Sequence, residues 1–191
     1  MLAKGVTEHA MEYPVTTEIP LGDPRYNHCL SEFYATCVAR LTAVARAGED
    51  VVVLCEGDPF FYGSFMHLYT RLKDRIPVQV VPAITGMSAA WTATGRPITW
   101  GDDVLTVLMG TLPEEDLARR AADTDALVVM KIGRNLAKIC AALKTAGRFD
   151  DAWLVEFAAM KDQNVCRLVE AGDRIAPYFS IIVVHGNGRR P

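Results

Sequence analysis

The sequence predicts an α/β fold, and two patterns carry that expectation. Short continuous apolar runs alternate with amphipathic helical stretches along most of the chain. Glycine, proline and aspartate punctuate the joins between them. Apolar runs bounded in this way read as strands buried on both faces, as in a parallel sheet with helices packed over it.

The first helix opens at Asp23-Pro24, where Asp23 suits the N-cap and Pro24 the first helical position. Leu30, Phe33, Tyr34, Cys37, Val38, Leu41, Val44 and Ala45 then recur at helical spacing and form one stripe, which Gly48 ends. Val51-Val52-Val53-Leu54-Cys55 follows as a predicted strand. Helices are then expected over 64–73, 86–94, 114–122 and 135–146. Strands are expected over 78–81, 104–108, 127–130, 152–155, 164–168 and 179–184. The last strands have little helix between them, so the second half should carry a mixed sheet. Gly95, Pro97 and Gly101 mark a boundary that divides the chain into lobes of residues 1–100 and 101–191. There is no internal repeat and no low-complexity segment.

Composition narrows the function. A chain of 191 residues suits one compact domain or two small lobes, and at this size it buries about 70% of its extended surface, enough for a core without staples. The formal charge of −3 argues against a nucleic-acid partner, which would need a basic stripe. An anionic small molecule remains open, because a local cluster of Arg and Lys can bind one. The five cysteines are odd in number and lack CxxC spacing, which disfavours a disulfide framework or a zinc site and points to a reducing cytoplasm. Cys29, Cys37 and Cys55 read as small core hydrophobes. No apolar run approaches the ~18 residues of a membrane span. Glu8, His9 and Glu12 interrupt any signal-peptide core. His9, His28, His67 and His185 are scattered without metal-ligand spacing, so no metal is expected. Dinucleotide, P-loop and nucleophile-elbow motifs are also missing.

Ligands of open α/β sheets bind beyond the carboxyl ends of strands, and three loops lie there. In Glu56-Gly57-Asp58-Pro59-Phe60-Phe61-Tyr62-Gly63-Ser64, Gly57 permits a turn closed to side chains. Its amides suit a carboxylate or ribose, and Phe61 and Tyr62 could flank an adenine ring. The plainer reading is a strand-to-helix turn with Asp58 as its cap. In Pro82-Ala83-Ile84-Thr85-Gly86-Met87-Ser88, Thr85 could bond a ligand or simply cap the helix. In Met130-Lys131-Ile132-Gly133-Arg134-Asn135, Lys131 and Arg134, with Lys138 beyond, form either a substrate-carboxylate cluster or a solvated basic face.

Together these segments resemble a known family. The stretch from Leu54 through Met66 is similar to the second cofactor loop of the tetrapyrrole methyltransferases, in the form used by precorrin-2 C20-methyltransferases. Tyr13-Pro14-Val15-Thr16-Thr17-Glu18 and Thr85-Gly86-Met87-Ser88 also resemble that subgroup. So does the run from Pro97 through Leu108, and Met130-Lys131-Ile132-Gly133-Arg134-Asn135 follows in the expected order. The similarity extends from about Tyr13 to Arg190.

The resemblance implies a two-lobed tetrapyrrole methyltransferase fold with an incomplete parallel-sheet N-terminal lobe and a mixed-sheet C-terminal lobe. It implies S-adenosyl-L-methionine as methyl donor, C20 of precorrin-2 as acceptor, and a role in cobalamin synthesis, usually as a homodimer. By motif match, Glu56, Gly57, Asp58, Phe61, Thr85, Gly86, Met130 and Ala158 would line the cofactor. Arg96, Lys131 and Arg134 would meet substrate carboxylates. No catalytic base is assigned; Glu56 and Asp102 are candidates by position alone. The family's first strand and its Gly-Pro-Gly-Asp-Pro loop do not occur in this sequence, so the expectation is an N-terminally truncated member. Ala83 and Ala158 stand where the family carries glycine, a costly exchange wherever φ is positive. Two alternatives accompany this reading: an inactive fragment or pseudoenzyme that keeps a dimer or tetrapyrrole-binding surface, and a methyltransferase acting at another precorrin position.

Overall fold

The computed structural model describes residues 5–14 and 23–189. Contacts divide the chain into two compact units, Met1–Ala83 and Ile84–Pro191.

In the first unit, helix α1 spans Pro24–Arg46 and α2 spans Phe65–Leu72. Asp23 caps α1 as expected, its side chain accepting from the Arg25 amide at 2.9 Å. The predicted stripe is the buried one: Tyr34, Cys37 and Val38 pack against Phe65, Leu68 and Leu72 of α2. Tyr13 reaches this core, with its hydroxyl 2.7 Å from that of Tyr34. Residues 15–18 of the Tyr13–Glu18 resemblance lie outside the described residues.

Two expectations fail here. Residues 51–55 and 78–81 are not strands; among the described residues neither joins a ladder. Val53, Val78 and Val80 pack on the helical cluster, whereas Val52, Leu54 and Val81 are exposed. An apolar run becomes a strand only when a neighbour takes its N–H and C=O groups, and among the described residues no strand neighbour does so. Cys55 is likewise exposed rather than part of the core, while Cys37 is buried as expected.

The second unit is a mixed five-stranded sheet with helices on both faces. Its elements run α3 (Gly86–Ala93), β1 (Leu105–Met109), α4 (Glu114–Ala122), β2 (Ala126–Met130), α5 (Leu136–Thr145), β3 (Ala152–Glu156), β4 (Asn164–Arg167) and β5 (Ser180–Val184). The strand order is β1-β2-β5-β3-β4. Among the described residues only β1 and β2 pair in parallel. β5 runs antiparallel between β2 and β3, and β4 antiparallel on the outside of β3. Strand alternation assigns the faces. Leu127 and Val129 meet Leu117, Ala121, Ile139 and Leu143 of α4 and α5. Ala126, Val128 and Met130 turn to the opposite face, in one cluster with Ala90 of α3. The expected lobes place 86–94 before the boundary at residue 100, yet α3 packs on β3 and β5.

Past the end of β5, His185 is buried between α3 and the following turn. Its Nδ1 lies 2.9 Å from the Pro97 carbonyl and its Nε2 3.0 Å from Thr94 Oγ1. A carbonyl can only accept, so Nδ1 carries a proton, and burial lowers the imidazole pKa. Among the described residues no helix is long and apolar enough to cross a membrane.

Candidate functional site

Because β5 is antiparallel to both of its neighbours, the carboxyl ends of β1, β2 and β3 lie at one end of the sheet. Backbone strain concentrates there. Lys131, just past β2, has φ 56°; Phe157 and Ala159, just past β3, have φ 51° and 61°. Side-chain-bearing residues avoid this left-handed region, and clusters of them mark places where the surrounding structure imposes a shape. Gly110, at the end of β1, donates to the Met130 carbonyl at 2.7 Å. A Cβ on Gly110 would lie 2.8 Å from the Lys131 carbonyl, so the two turns close on each other only through glycine.

This strand end gathers four of the residues of the second unit that the sequence singled out for the cofactor: Thr85, Gly86, Met130 and Ala158. Met87, Met130, Ala158 and Ile181 belong to one apolar cluster. Gly86 begins α3 beside it, where a Cβ would stand 3.6 Å from Ile181 Cδ1. Thr85 does not cap α3 with its side chain; its Oγ1 instead lies 3.0 Å from Ser88 Oγ. The first amides of α3 therefore lack a side-chain cap and suit an acceptor oxygen. Thr85, Gly86, Met130 and Ala158 thus converge from separate parts of the sequence.

The loop of the first unit has its own logic. Gly57 is left-handed at φ 74°, and Glu56 beside it is exposed. Asp58 accepts from the Phe60 amide at 2.9 Å and from the Ala83 amide at 3.0 Å. The Ala83 bond first, then that from Phe60, holds its carboxyl below the usual range. The side chain therefore clasps residues 57–60 to residue 83, which combines the capping reading with a longer-range tie. Phe61 and Tyr62 cross edge-on, their rings 4.9 Å apart, with Tyr62 strained at φ 54°.

The cations do not gather as expected. Lys131 and Arg134 are exposed at the carboxyl end of β2. Arg96 precedes Pro97, whose carbonyl faces His185 at the far end of β5. The five residues of β5 intervene, at about 3.3 Å each. Lys138 donates to the Leu112 carbonyl at 2.7 Å and is engaged away from Lys131. Asp102 precedes β1, at the opposite end from the strained turns, and lies 3.7 Å from Arg189. Nor are Ala83 and Ala158 strained: neither is among the left-handed residues, so alanine carries no backbone penalty at either position. At Ala158 the positive φ falls instead on its two neighbours.

Sequence reasoning missed a buried cluster beneath the Phe157 turn. Glu156 closes β3 with only 5% of its surface exposed. Its Oε2 accepts from Asn164 Nδ2 at 3.0 Å, and its Oε1 lies 2.7 Å from Arg174 Nη1. Arg174 above all, assisted by Asn164, holds this carboxyl below its ordinary pKa, against the upward pull of burial. Only the alternating pattern of β3, which turns Glu156 toward a sheet face, hinted at it. Among the described residues no cluster of His, Cys, Asp or Glu could hold a metal ion.

Comparison with known proteins gives this geometry a context. The family described as tetrapyrrole (corrin/porphyrin) methylases matches residues 3–171. A precorrin-2 C(20)-methyltransferase of Sinorhizobium is 48% identical over all 191 residues, which span 78% of that protein. A cobalamin biosynthesis protein of Mycobacterium tuberculosis, CobIJ, is 42% identical over 189 residues, 99% of this chain and 37% of its own length. Among solved structures, uroporphyrin-III C-methyltransferase of Thermus thermophilus, complexed with S-adenosylhomocysteine, superposes with a TM-score of 0.61 at 23% identity. That match covers 86% of this chain and 82% of the other.

Proposed function

We propose that this chain, which belongs to the tetrapyrrole methylase family, transfers a methyl group from S-adenosyl-L-methionine to C20 of precorrin-2 in cobalamin synthesis. The observation that carries the reading is the convergence of Thr85, Gly86, Met130 and Ala158 on one strained sheet end, in a chain 48% identical to a relative named for this reaction.

The residues fit such a donor. Apolar side chains from Met87, Met130 and Ile181 suit the flank of an adenosyl group, and the first amides of α3 suit a carboxylate or hydroxyl oxygen. Left-handed turns present backbone groups where a regular strand would turn them into a ladder. The Gly57 turn offers the same in the first unit. Bound there, the donor supplies an activated sulfonium methyl: the bond to C20 forms as the bond to sulfur breaks, sulfur keeps the electron pair, and C20 loses its proton. Such a transfer needs alignment and exclusion of water more than a strong acid or base. Glu156 is a poor base for that proton, since its ion pair with Arg174 stabilises the charged form.

By motif match, Glu56, Gly57, Asp58 and Phe61 of the first unit are proposed to contact the cofactor, and Lys131 and Arg134 to face substrate carboxylates. Arg96 stands apart from that pair and would meet a different part of the macrocycle. A homodimer and a cytoplasmic location complete the proposal. The test is anaerobic incubation with precorrin-2 and methyl-labelled donor, followed by NMR of the product. Label at C20 is the expected result, and label at another carbon would reassign the position. Tetrapyrrole binding with no turnover and no S-adenosylhomocysteine binding at millimolar concentration would overturn the enzyme reading in favour of a binding-only protein. The exposed Val52 and Leu54 flank of the Glu56 loop is the observation behind that second reading.

A further inference from the structure

A carboxylate taken out of water costs several kcal/mol unless it is paired and fully hydrogen-bonded. Glu156 is paired rather than fully hydrogen-bonded: Arg174, from the segment before β5, lies 2.7 Å from Oε1 as an ion pair, and Asn164 of β4 donates to Oε2, while Oε1 has no hydrogen bond of full geometry. Arg174 is itself held, its Nε donating to the Ala171 carbonyl at 3.0 Å. An apolar residue would serve a purely structural strand end at less cost. The next residues are Phe157 and Ala159, both left-handed, with Ala158 between them. The turn is pinned from its other side as well. The Phe157 amide donates to the Phe179 carbonyl at 2.8 Å, and the Ala159 amide to Gln163 Oε1 at 2.7 Å. Strain of this kind persists only where neighbouring interactions over-determine the shape, and Glu156 supplies the last fixed point before the strained stretch.

We infer that Glu156, held by Asn164 and Arg174, is a positioning residue: it fixes the Phe157–Ala159 turn in the shape that presents Ala158 and the adjoining backbone to the methyl donor. Glu156 does not touch the donor; it acts through the turn. The inference rests on the proposed function above and adds a residue set that the motif match does not contain. It also accounts for tolerance of alanine at position 158, since the left-handed conformations fall on its neighbours.

The decisive variants are Glu156→Gln, which keeps size and shape, and Arg174→Lys, which keeps charge. Glu156→Gln should weaken S-adenosylhomocysteine binding about tenfold by calorimetry, as expected for the loss of one charged hydrogen-bond partner. It should raise KM for S-adenosyl-L-methionine in proportion, leaving kcat at saturating donor and KM for precorrin-2 unchanged. Arg174→Lys should recover most of the affinity that Arg174→Met loses. Circular dichroism and the melting profile of Glu156→Gln at pH 7 establish that the sheet is intact, and Asn164→Ala gives a second, milder perturbation if Glu156→Gln does not fold. Wild-type binding with equal affinity in Glu156→Gln and Asn164→Ala would overturn the positioning role alone. A wild-type protein that binds no S-adenosylhomocysteine would overturn the cofactor reading, and this inference with it. An equal loss in donor and precorrin-2 KM would reduce Glu156 to a general structural role.

Discussion

Residues 51–55 and strand β2 are nearly the same kind of sequence, Val-Val-Val-Leu-Cys against Ala-Leu-Val-Val-Met, and they have opposite fates. In β2, Leu127 and Val128 are fully buried, with β1 on one side and β5 on the other. In the first unit, Val52 is 80% and Leu54 75% exposed, and no ladder forms among the described residues. The difference lies in what surrounds the run. A parallel-type strand is apolar on both faces because helices cover both, and its backbone is satisfied because two neighbours flank it. Remove the neighbours and the same composition is only an apolar segment resting one residue on a helical cluster.

The contrast can be broken most severely by charge. Val128→Asp places an unpaired carboxylate in the centre of the sheet, at a cost of several kcal/mol, and should abolish cooperative folding of the second unit. Val52→Asp at the corresponding exposed run should change stability by no more than about 0.5 kcal/mol. Circular dichroism melts of the two variants measure both. A gentler comparison is Leu154→Ala against Leu54→Ala. Leu154 is fully buried in β3, so its truncation should cost about 2–5 kcal/mol by urea denaturation, and Leu54→Ala should cost well under half of that. A large effect at Leu54 would mean that residues 51–55 are covered in solution.

The smallest effect is tied to pH. Glu156 has its carboxyl lowered by Arg174, with Asn164 assisting. A depressed acid contributes stability above its unfolded pKa of about 4.3 and loses it as pH falls through the folded value. The urea midpoint of the second unit should therefore fall below about pH 4, and Glu156→Gln should flatten that part of the profile. Cys166 lies in the field of both Glu156 and Arg174 and has its thiol raised chiefly by burial; it stays neutral across this range and does not contribute to the slope.

Much of the second unit was legible because its local signals agree with its tertiary surroundings. Glu114–Ala122 is a helix over the predicted residues, and the expected mixed sheet follows from strands that arrive without intervening helices. Helix α1 was equally clear, since Asp23-Pro24 and an unbroken apolar stripe act within a few turns. The strands at 51–55 and 78–81 were misread because their apolar pattern carries no information about a neighbour. Of the two readings open for the basic residues, the solvated face agrees with the exposure of Lys131 and Arg134, while Lys138, within a helical turn of Arg134, has its ammonium drawn to the Leu112 carbonyl, a partner that local spacing does not reveal.

What the sequence by itself determined is the set of local conformations and the family: where helices start, where glycine must turn the chain, and which loops resemble cofactor loops. Those are short-range properties, written in spacing and residue type. The tertiary structure alone decided that the strained turns after β2 and β3 share one sheet end, because that depends on β5 running antiparallel between them. It alone decided that Ala83 and Ala158 escape left-handed strain. It also decided that Glu156 meets Asn164 and Arg174 beneath the turn, since pairing among distant residues is fixed by strand order and burial, which no local pattern encodes.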